Sequence, residues 1–366
     1  MINVLVVDDS ALIRKVLSQI IDAQPDMKVM ATAQNPYKAI EVMKDAQPDV
    51  ITLDIEMPKM DGITFLEKIM RLKPLPVIMV SSLTAENADV TMRALELGAV
   101  DFVLKPKLDV EKSLMDYTAE LTGKIRYAAK QKMADKKIVG AGDKKEVSIG
   151  AKLSADAILD VKTTSNIKTT EKIIAIGAST GGTEAIKEVL VKMPPDCPGI
   201  VIAQHMPEAF TKAFATRLNT LCKITVKEAE HGERVLPGHA YIAPGSSHLL
   251  LGRSGANYIC QLNDGPPVNR HRPSVDVLFR SVANNAGQNT VSAILTGMGK
   301  DGAEGMLEIL NAGGQTLSQT ERTCVVWGMP REAVMLGAVQ KEIDIENIAQ
   351  QLMDDLAATG ERAFRV

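Results

Sequence analysis

Residues 173–182 read Ile-Ile-Ala-Ile-Gly-Ala-Ser-Thr-Gly-Gly, a short apolar run that ends in a turn of small residues. The apolar run predicts a buried strand, and the pattern from Thr183 to Val191 predicts a helix that starts directly after the turn. Such a turn presents the Ser179 hydroxyl at the edge of a sheet, beside the backbone N–H groups of a helix N-terminus. Because these N–H groups can stabilise an oxyanion, the stretch indicates a nucleophilic serine in an α/β fold.

The turn alone leaves other functions open. Strand–glycine–helix turns also bind phosphates or dinucleotides, or simply allow close packing of a helix on a strand. The dinucleotide fingerprint fits poorly, because Ser179 stands where its second glycine belongs. The P-loop pattern fails as well, since no Gly-Lys-Ser or Gly-Lys-Thr follows the turn. A hydrolase is therefore favoured only if the chain supplies partners for the serine.

Composition bounds the class of protein. A length of 366 residues predicts two or three domains, and a net charge of −3 with 3% aromatic residues gives no case for nucleic-acid binding. The four cysteines are scattered without CxxC or zinc spacing, which is typical of a reducing compartment. The N-terminus lacks a basic region with a cleavage site, and no apolar stretch reaches the ~18 residues of a membrane span. We therefore expect a cytoplasmic protein that is not inserted in a membrane.

The first 125 residues alternate short apolar strands with amphipathic helices five times. The expected strands are Val4–Val7, Val29–Ala33, Val50–Leu53, Val77–Val80 and Phe102–Leu104. The expected helices are Ala11–Ala23, Pro36–Ala46, Gly62–Arg71, Ala88–Leu97 and Val110–Ala128. Strand–helix repeats with short loops predict a parallel sheet that helices cover on both faces. Residues 1–125 are therefore predicted to be one domain.

Residues 126–169 are predicted to be a flexible linker, because from about residue 130 the chain is rich in Lys, Asp, Ser, Thr and Gly. A short helix is possible at Ser154–Val161. From residue 170 to 355 the alternation resumes and predicts a second, doubly wound α/β domain with a mostly parallel sheet, followed by a tail at 356–366. Its expected strands are Ile173–Ile176, Ile200–Ala203, Ala240–Ala243, His248–Leu251 and Val291–Leu295. Its expected helices are Thr183–Val191, Thr211–Leu221, Ser274–Asn285 and Asp301–Ala312.

Polar side chains follow four of the five strands in the first domain. Asp8 and Asp9 end the first strand, Asp54 the third, Ser81 the fourth and Lys105 the fifth. The carboxyl ends of parallel strands meet at one edge of a sheet, so these side chains are expected to converge there. Clustered carboxylates repel each other, and their oxygen atoms suit Mg²⁺. A carboxylate beside Mg²⁺ and a lysine can accept a phosphoryl group, because both cations neutralise the charge in transfer.

This half resembles the receiver domain of two-component response regulators, which has a flavodoxin-like (βα)5 fold. The likeness extends over nearly all of residues 1–120, including Asp-Ile-Glu-Met-Pro-Lys-Met-Asp-Gly at residues 54–62. By that resemblance Asp54 is the phospho-acceptor, and Asp9 and Asp54, with Asp8 nearby, hold Mg²⁺. It also implies that Ser81 and Lys105 engage the phosphoryl group and that Phe102 occupies the aromatic switch position.

Two polar residues in the second half lie where strands stop, as Ser179 does. His205 follows the strand at residues 200–203, and Asp301 follows the strand at residues 291–295. The sheet edge thus gathers a nucleophile, a base and a carboxylate that orients the imidazole. Asp301 could instead be only a helix N-cap, and His271 is either a substrate contact or a helix-entry cap. The remaining histidines, which are interpreted as structural, are His231, His239 and His248.

Five motifs of this half resemble the chemotaxis protein-glutamate methylesterases, the CheB family. They are Gly177–Gly182, Gln204–Pro207, Ala243–Gly245, His271–Asp276 and Thr296–Gly302. The resemblance implies a phosphorylation-activated serine hydrolase with Ser179 as nucleophile, His205 as base and Asp301 as its partner. Backbone N–H groups near Thr180 and Met298 are the candidate oxyanion donors.

The same resemblance implies substrates, partners and regulation. The substrates would be γ-glutamyl methyl esters of chemoreceptors and particular receptor glutamines, which are deamidated. A chemotaxis histidine kinase would donate the phosphoryl group, and Mg²⁺ would serve the receiver while the hydrolase needs no cofactor. At rest, the receiver would cover the active-site edge. The sequence leaves two rivals, a signalling adaptor with a docking module and a hydrolase for a small-molecule ester.

Overall fold

The chain divides into two units, Met1–Val147 and Ser148–Val366. The computed structural model describes residues 1–82, 84–106, 111–134, 153–161 and 171–358. Each unit is built on a parallel sheet, which confirms the predicted α/β class.

The first unit has a five-stranded parallel sheet in the order β2-β1-β3-β4-β5. The strands are β1 (Ile2–Val7), β2 (Met27–Ala33), β3 (Val50–Asp54), β4 (Val77–Ser81) and β5 (Asp101–Leu104). The helices are α1 (Ala11–Asp22), α2 (Pro36–Asp45), α3 (Gly62–Leu72), α4 (Ala85–Glu96) and α5 (Glu111–Ala134). All ten expected elements are present, with boundaries that differ by a few residues.

Side-chain caps begin four of these helices, and that of α4 is the Thr84 hydroxyl, which accepts a hydrogen bond from Asn87 N (3.2 Å). The Ser10 hydroxyl accepts a hydrogen bond from Ile13 N (3.4 Å), and the Asn35 side chain accepts one from Lys38 N (3.0 Å). The Asp61 carboxylate accepts one from Thr64 N (2.8 Å). Each cap satisfies one of the N–H groups that a helix N-terminus leaves without a partner. The caps therefore fix where the loops at the carboxyl edge of the sheet turn into helices.

The predicted linker differs from the structure at its start and in part of its interior. Helix α5 continues to Ala134, past the expected linker start at 126, because Leu121, Ile125, Ala128 and Ala129 pack into the core of the unit. Residues 135–152 and 162–170 of the predicted linker lie outside the described residues. Residues 153–161 are described and contain a 3₁₀ turn at Ala155–Ala157, inside the stretch where a short helix was possible.

The second unit has a seven-stranded sheet in the order β14-β13-β12-β6-β7-β9-β8, and its described strand pairs are parallel. A separate antiparallel hairpin joins β10 and β11. The strands are β6 (Ile173–Ala178), β7 (Gly199–Gln204), β8 (Thr225–Glu228), β9 (His239–Ile242), β10 (His248–Ser254), β11 (Asn257–Asn263), β12 (Thr290–Ile294), β13 (Gln315–Gln319) and β14 (Lys341–Ile343). The helices are α6 (Gly182–Leu190), α7 (Glu208–Leu221), α8 (Val275–Asn285), α9 (Ala303–Asn311), α10 (Met329–Met335) and α11 (Ile345–Ala358).

The sequence patterns missed four strands and two helices here, β8, β11, β13, β14, α10 and α11. Strand β13 is almost entirely buried although it reads Gln-Thr-Leu-Ser-Gln. Its polar groups are paired by distant residues, since Thr316 N donates to the Gln340 side chain (2.9 Å) and Thr296 N donates to Gln319 Oε1 (2.9 Å). Helix α11 also carries the unit to Ala358, past the expected start of the tail at 356. Tertiary hydrogen bonds, which no local pattern reports, allow such polar strands to be buried.

Candidate active site

Three neighbouring strands bring Ser179, His205 and Asp301 to one edge of the second sheet. Strand β6 lies between β12 and β7, and each residue follows the carboxyl end of one of these strands. The register places Ala178 of β6 beside Gln204 of β7, so the two following residues are neighbours. The topology therefore brings together residues that are far apart in the sequence, such as Ser179 and Asp301, which are 122 positions apart.

The His205 imidazole lies between the other two side chains. Its Nδ1 is 3.1 Å from the Ser179 hydroxyl oxygen, and its Nε2 is 2.7 Å from Asp301 Oδ2. With the Nε2 proton donated to the carboxylate, the Nδ1 lone pair faces the serine hydroxyl. The two ring nitrogens exchange roles relative to the chymotrypsin-type triad, in which Nε2 faces the serine. The arrangement can remove a proton from Ser179 and stabilise the imidazolium that results.

Asp301 is buried and accepts hydrogen bonds from several donors besides His205. Its Oδ2 accepts one from Val275 N (2.6 Å), at the N-terminus of α8. Its Oδ1 accepts bonds from Asn269 Nδ2 (2.8 Å), the Ser274 hydroxyl (2.8 Å) and Asp276 N (3.3 Å). Burial raises the pKa of Asp301, but the hydrogen bond and charge of His205 outweigh it and hold this pKa below its ordinary value. The carboxylate is thus held ionised.

The capping interpretation of Asp301 is wrong. The N-cap of α9 is Gly302, whose φ is +94°, and the Asp301 carboxylate instead faces the start of α8. A Cβ at Gly302 would come 2.6 Å from Val275 Cγ1, so the turn has no room for a side chain there. The left-handed glycine turns the chain between β12 and α9 and leaves the preceding carboxylate free to serve His205.

His271 stacks on the imidazole of His205, the candidate catalytic base. The rings of His205 and His271 are parallel within 8°, and their centroids are 3.7 Å apart. The helix-entry cap of α8 is Ser274, whose hydroxyl accepts from Val277 N (3.4 Å), so His271 is not that cap. The stack fixes one face of the His205 ring, and the hydrogen bonds to Ser179 and Asp301 fix its plane.

Glycines permit the close approach around Ser179. Gly181, the N-cap of α6, has φ +76°, and a Cβ on it would lie 2.2 Å from Val325 Cβ. A Cβ on Gly297 would lie 2.8 Å from Ser179 Cβ, so this glycine brings the Met298 segment directly against the serine. Within the described residues, the backbone N–H groups of Thr180 and Met298 donate no hydrogen bond. They stay the candidate oxyanion donors.

The first unit has an acidic site at the carboxyl edge of its own sheet. The carboxylates of Asp8, Asp9 and Asp54 lie within 4.8 Å of one another. Lys105 Nζ is 2.8 Å from Asp54 Oδ2 and 3.6 Å from Asp8 Oδ2. Burial raises the pKa of Asp54 to about 6, and the neighbouring Asp8 adds to this although Lys105 opposes it. Burial of the carboxylates is therefore the main reason that their charged forms are disfavoured, and the contact with Lys105 offsets only part of it.

The donor set of this site fits a hard divalent cation. Asp8 Oδ2 is buried and has no hydrogen-bond partner among the described residues. Asp8 Oδ1 accepts from Ser10 N (2.8 Å), and Arg14 Nη1 donates to the backbone carbonyls of Asp8 and Asp9, which hold this loop in place. Oxygen donors of this kind are those that Mg²⁺ prefers.

Ser81 and Phe102, the remaining residues predicted for the receiver, have defined contacts. The Ser81 hydroxyl donates to the Ser82 carbonyl (3.2 Å) and accepts from the Thr91 hydroxyl (3.1 Å). Phe102 is buried, and Lys124 Nζ lies 5.4 Å from the centroid of its ring. The proposed roles of Ser81 and Phe102 in phosphoryl signalling stay predictions.

Among the described contacts, neither His231, His239 and His248 nor the cysteines bond directly to the side chains of Ser179, His205 and Asp301. His231 and His239 bond to nearby backbone groups, and buried His248 accepts from Ser274 N through Nδ1 (3.2 Å). The four cysteines are free, and burial raises the pKa of Cys197 to about 12 and that of Cys222 to about 11. These thiols are therefore protonated at neutral pH and are poor nucleophiles.

Sequence reasoning missed how the residues around Asp301 act. Asn269 lies two residues before the His271–Asp276 motif and Ser274 lies inside it, yet only the fold shows that both donate to Asp301. Gln204 stands in the Gln204–Pro207 motif without a predicted role, and its Nε2 donates to the carbonyl of Ser179 (2.9 Å). The one available signal was position, because each of them lies within five residues of a residue already singled out.

Comparison with known proteins decides the family. Residues 174–352 match the family model of the CheB methylesterase, and residues 4–114 match that of the response regulator receiver domain. A relative from Geobacter metallireducens, named protein-glutamate methylesterase/protein-glutamine glutaminase 1, is 58% identical over 100% of this chain and 99% of its own length. The chain belongs to the protein-glutamate methylesterase family. A relative from Nitrosomonas europaea, with the same name but no number, is 57% identical over 100% of this chain and 99% of its own length.

Two solved structures from Thermotoga maritima resemble the two units. The CheB methylesterase catalytic domain is 38% identical, with a TM-score of 0.49, and the match covers 50% of this chain and 97% of that one. The response regulator domain of CheB is 51% identical, with a TM-score of 0.33, and the match covers 36% of this chain and 97% of that one. The receiver family model lies within the first unit and the methylesterase model within the second, so the units are hereafter called the receiver and the methylesterase unit. Among the described helices of both, none is long and apolar enough to cross a membrane.

Proposed function

We propose that this chain is a phosphorylation-activated protein-glutamate methylesterase and protein-glutamine deamidase of chemotaxis adaptation. Its substrates would be γ-glutamyl methyl esters and particular glutamines of methyl-accepting chemotaxis receptors. The observation that carries the proposal is the continuous chain of hydrogen bonds from Ser179 through His205 to Asp301. Its membership of the methylesterase family supports the substrate class.

In the first half of the proposed reaction, the Ser179 oxygen attacks the carbonyl carbon of the side-chain ester. His205 Nδ1 takes the hydroxyl proton, and Asp301 stabilises the imidazolium through Nε2. The carbonyl oxygen becomes an oxyanion, and the N–H groups of Thr180 and Met298 would bind it. When this intermediate collapses, the bond to the methoxy oxygen breaks, and His205 returns the proton so that methanol leaves.

In the second half, water attacks the acyl group on Ser179. His205 takes a proton from the water, the serine–acyl bond breaks, and the proton returns to the Ser179 oxygen. The product is the receptor glutamate. An amide substrate follows the same steps with ammonia as the leaving group, so one triad accounts for both activities.

We propose that the receiver accepts a phosphoryl group on Asp54 from a chemotaxis histidine kinase. Mg²⁺, when bound by Asp8, Asp9 and Asp54, would neutralise charge on the group in transfer. Lys105 contacts Asp54 and is placed to pair with the added phosphoryl oxygens, with Ser81 as a further donor. The added charge changes the relative free energies of the resting and active states, and Phe102 is the proposed switch residue.

We propose residues 1–125 as the receiver, 126–169 as the connecting segment, 170–355 as the catalytic domain and 356–366 as the tail. The family models, which match 4–114 and 174–352, support these limits. The described structure adds that α5 and α11 run beyond two of them, to Ala134 and Ala358. We place the enzyme in the cytoplasm, because its cysteines are free as is typical of a reducing compartment.

The proposed function is tested by methanol release from membranes that hold methylated receptors, with and without a small phosphodonor. We expect release by the full chain and a faster release when the donor is present. A protein that binds these membranes without releasing methanol would be an adaptor. Hydrolysis of small esters with no release from the membranes would indicate a small-molecule hydrolase, and either result would contradict the proposal.

Asp54→Asn is expected to remove the response to phosphodonor. The rate of the unphosphorylated protein should stay within about twofold, because Asp54 takes no part in the proposed serine mechanism. An amide cannot accept the phosphoryl group, although it is nearly the size of the carboxylate. The measurement is the ratio of methanol release with and without donor, and we expect a ratio near one. Asp45→Asn, on the exposed end of α2, is the matched control and should respond as the parent does. A donor response that persists in Asp54→Asn would exclude Asp54 as the acceptor.

Chelation is expected to separate the two sites. EDTA should block phosphorylation of the full chain, and excess Mg²⁺ should restore it, because the receiver carboxylates need a cation to accept a phosphoryl group. The basal methanol release of unphosphorylated protein should stay within about twofold, since the proposed serine mechanism uses side-chain and backbone groups alone. A basal rate that EDTA abolishes and a metal restores would show a metal-dependent hydrolase instead.

A further inference from the structure

The turn at residues 268–271 has an unusual backbone. Asn269 and Arg270 have φ values of +51° and +73°, in the left-handed region that favours glycine. The turn is closed by hydrogen bonds from His271 N to the Val268 carbonyl (2.8 Å) and from Val268 N to the His271 carbonyl (3.0 Å). Two consecutive residues in this region form a tight turn of the type that joins hairpin strands. Non-glycine residues persist there only where the surroundings hold them, and such positions cluster at functional sites.

The side chain of Asn269 bridges two buried carboxylates. Its Nδ2 is 2.8 Å from Asp301 Oδ1 and 2.6 Å from Asp276 Oδ2. The exposed fractions of Asp301 and Asp276 are 2% and 3%. A side-chain amide nitrogen carries two hydrogens, so one is available for each carboxylate. The other oxygen of Asp276 accepts from Gly305 N (2.8 Å), which fixes this second carboxylate against α9.

The two carboxylates disfavour each other's charge. Burial raises the pKa of Asp276 well above its ordinary value, and the nearby charge of Asp301 raises it further. The hydrogen bond from Asn269 opposes this for Asp276 and also contributes to the low pKa of Asp301. Without the amide, each carboxylate would lose a donor in a site that is almost fully buried.

Residues 153–161, here called the docked segment, hold the backbone of Asn269. Asn269 N donates to the Leu153 carbonyl (3.0 Å). Ala155 is buried in an apolar cluster with Leu250, Val268 and Val277. Arg280 of α8 donates to the Asp156 carboxylate and, at 3.0 Å, to the Leu159 carbonyl. Apolar and charged contacts thus attach the docked segment to the same turn and the same helix that surround Asp301.

We propose that Asn269 is a positioning residue of the triad, which keeps the Asp301 carboxylate aligned with His205, and that the docked segment holds Asn269 in place. Asn269 is 2.8 Å from Asp301 and acts on the reaction only through it. The inference rests on the proposed hydrolase function. It extends the methylesterase unit backwards into what the sequence predicts as a flexible linker.

Two substitutions at Asn269 test the amide. Asn269→Gly and Asn269→Asp both suit a left-handed backbone, and both remove the two-hydrogen donor. We expect each to lower kcat about 10- to 100-fold with KM within about twofold, because a charge-assisted hydrogen bond to the orienting group is lost. Asn257→Gly, at the half-buried first residue of β11, is the matched control. If both Asn269 variants keep kcat within about twofold, Asn269 serves the turn alone and the proposal is wrong.

The split between kcat and KM separates positioning from folding. Partial unfolding lowers the amount of active enzyme, which thermal unfolding of the same preparation shows. Misalignment of Asp301 instead lowers the kcat of fully folded protein and leaves KM nearly unchanged. A loss of kcat that only matches the loss of folded protein would contradict the proposal.

Ala155→Glu tests the docked segment, because a charged side chain cannot stay in its apolar cluster. We expect kcat to fall about 10- to 100-fold, as for the Asn269 variants. The double variant Ala155→Glu/Asn269→Gly should lose no more kcat than the more damaging of the two single variants. Ala256→Glu, on the exposed hairpin turn, is the matched control. If Ala155→Glu does not fold, the double variant Asp156→Ala/Ile158→Ala loosens the segment without a buried charge. Additive losses, or an unchanged kcat, would show that the segment does not act through Asn269.

These outcomes are distinguishable from failure of the hydrolase proposal. Ser179→Ala is measured in the same methanol-release assay on the full chain. If Ser179→Ala abolishes release while the Asn269 variants behave as the parent, only the positioning role is wrong. If Ser179→Ala releases methanol normally, the hydrolase site itself is wrong.

Discussion

Replacement of Ser179 by alanine is expected to lower kcat by roughly 10⁴–10⁶ and to leave the protein folded. The hydroxyl oxygen is the atom that would form the acyl bond, and its hydrogen bond is to His205 Nδ1 at 3.1 Å. Alanine keeps the Cβ that fits against Gly297 and removes only the oxygen, so no cavity larger than one atom forms. His205→Ala should fall in the same range, because the base and the nucleophile act as one unit.

The measurement is the initial rate of methanol release from methylated receptor membranes at saturating substrate. Thermal unfolding of the same preparation shows whether the variant is folded. Ser254→Ala, at the exposed end of β10, is the matched control and should have the parent rate. Near-parent release by folded Ser179→Ala would remove the triad from the mechanism.

Asp301→Asn is expected to lower kcat by about 10⁴, somewhat less than the most damaging serine variants. The imidazole keeps its place between Ser179 and the turn, but its Nε2 loses an ionised partner. The amide nitrogen of the new asparagine must also replace one of the two carboxylate oxygens. It then faces either His205 and Val275 N, or the donors from Asn269 and Ser274. Because donors then face donors in a buried site, we expect a loss of about 1–3 kcal/mol in the free energy of unfolding.

The pH dependence of that stability loss has a defined sign. The folded state lowers the pKa of Asp301 below its ordinary value of 3.8, so the carboxylate stabilises the fold above that pH. The contribution is lost as the pH falls from about 3.8 towards the folded pKa. The difference in unfolding free energy between the parent and Asp301→Asn should thus be constant near neutral pH and narrow in acid.

Chemical denaturation at a series of pH values checks this, with Asp196→Asn on an exposed loop as the control. A difference that stays the same down to pH values well below 3.8 would show that the Asp301 carboxylate carries no such stabilisation. Full activity of Asp301→Asn would show that His205 needs no anionic partner.

The local patterns were sufficient for much of the fold. In the receiver, apolar strands alternate with capped helices, and each predicted element is present. The strand Ile173–Ala178 and the turn at Gly181–Gly182 in the methylesterase unit are equally well predicted by the local sequence. The same reasoning placed Ser179, His205 and Asp301 at strand ends, because parallel strands have all their carboxyl ends at one edge.

Local sequence patterns did not predict the polar strand β13 or the packing of the described part of the linker. Strand β13 is buried because Thr316 and Gln319 pair with residues far along the chain, and residues 153–161 are held by Leu250, Val268 and Arg280. Hydrophobic periodicity reports what one segment can bury, and it carries no information on a partner that arrives from elsewhere.

The sequence by itself determined the two α/β units, the strand ends that bear the polar residues, and the likeness to a known family. Only the tertiary structure decided that His205 presents Nδ1 to Ser179 and Nε2 to Asp301, that His271 stacks on the imidazole, and that Asn269 bridges two carboxylates. Strand order is enough to bring the loops to one edge of the sheet. The hydrogen-bond donors around the buried Asp301 carboxylate, however, come from several separate elements. Their distances are set by how those elements pack, and packing is a property of the whole fold.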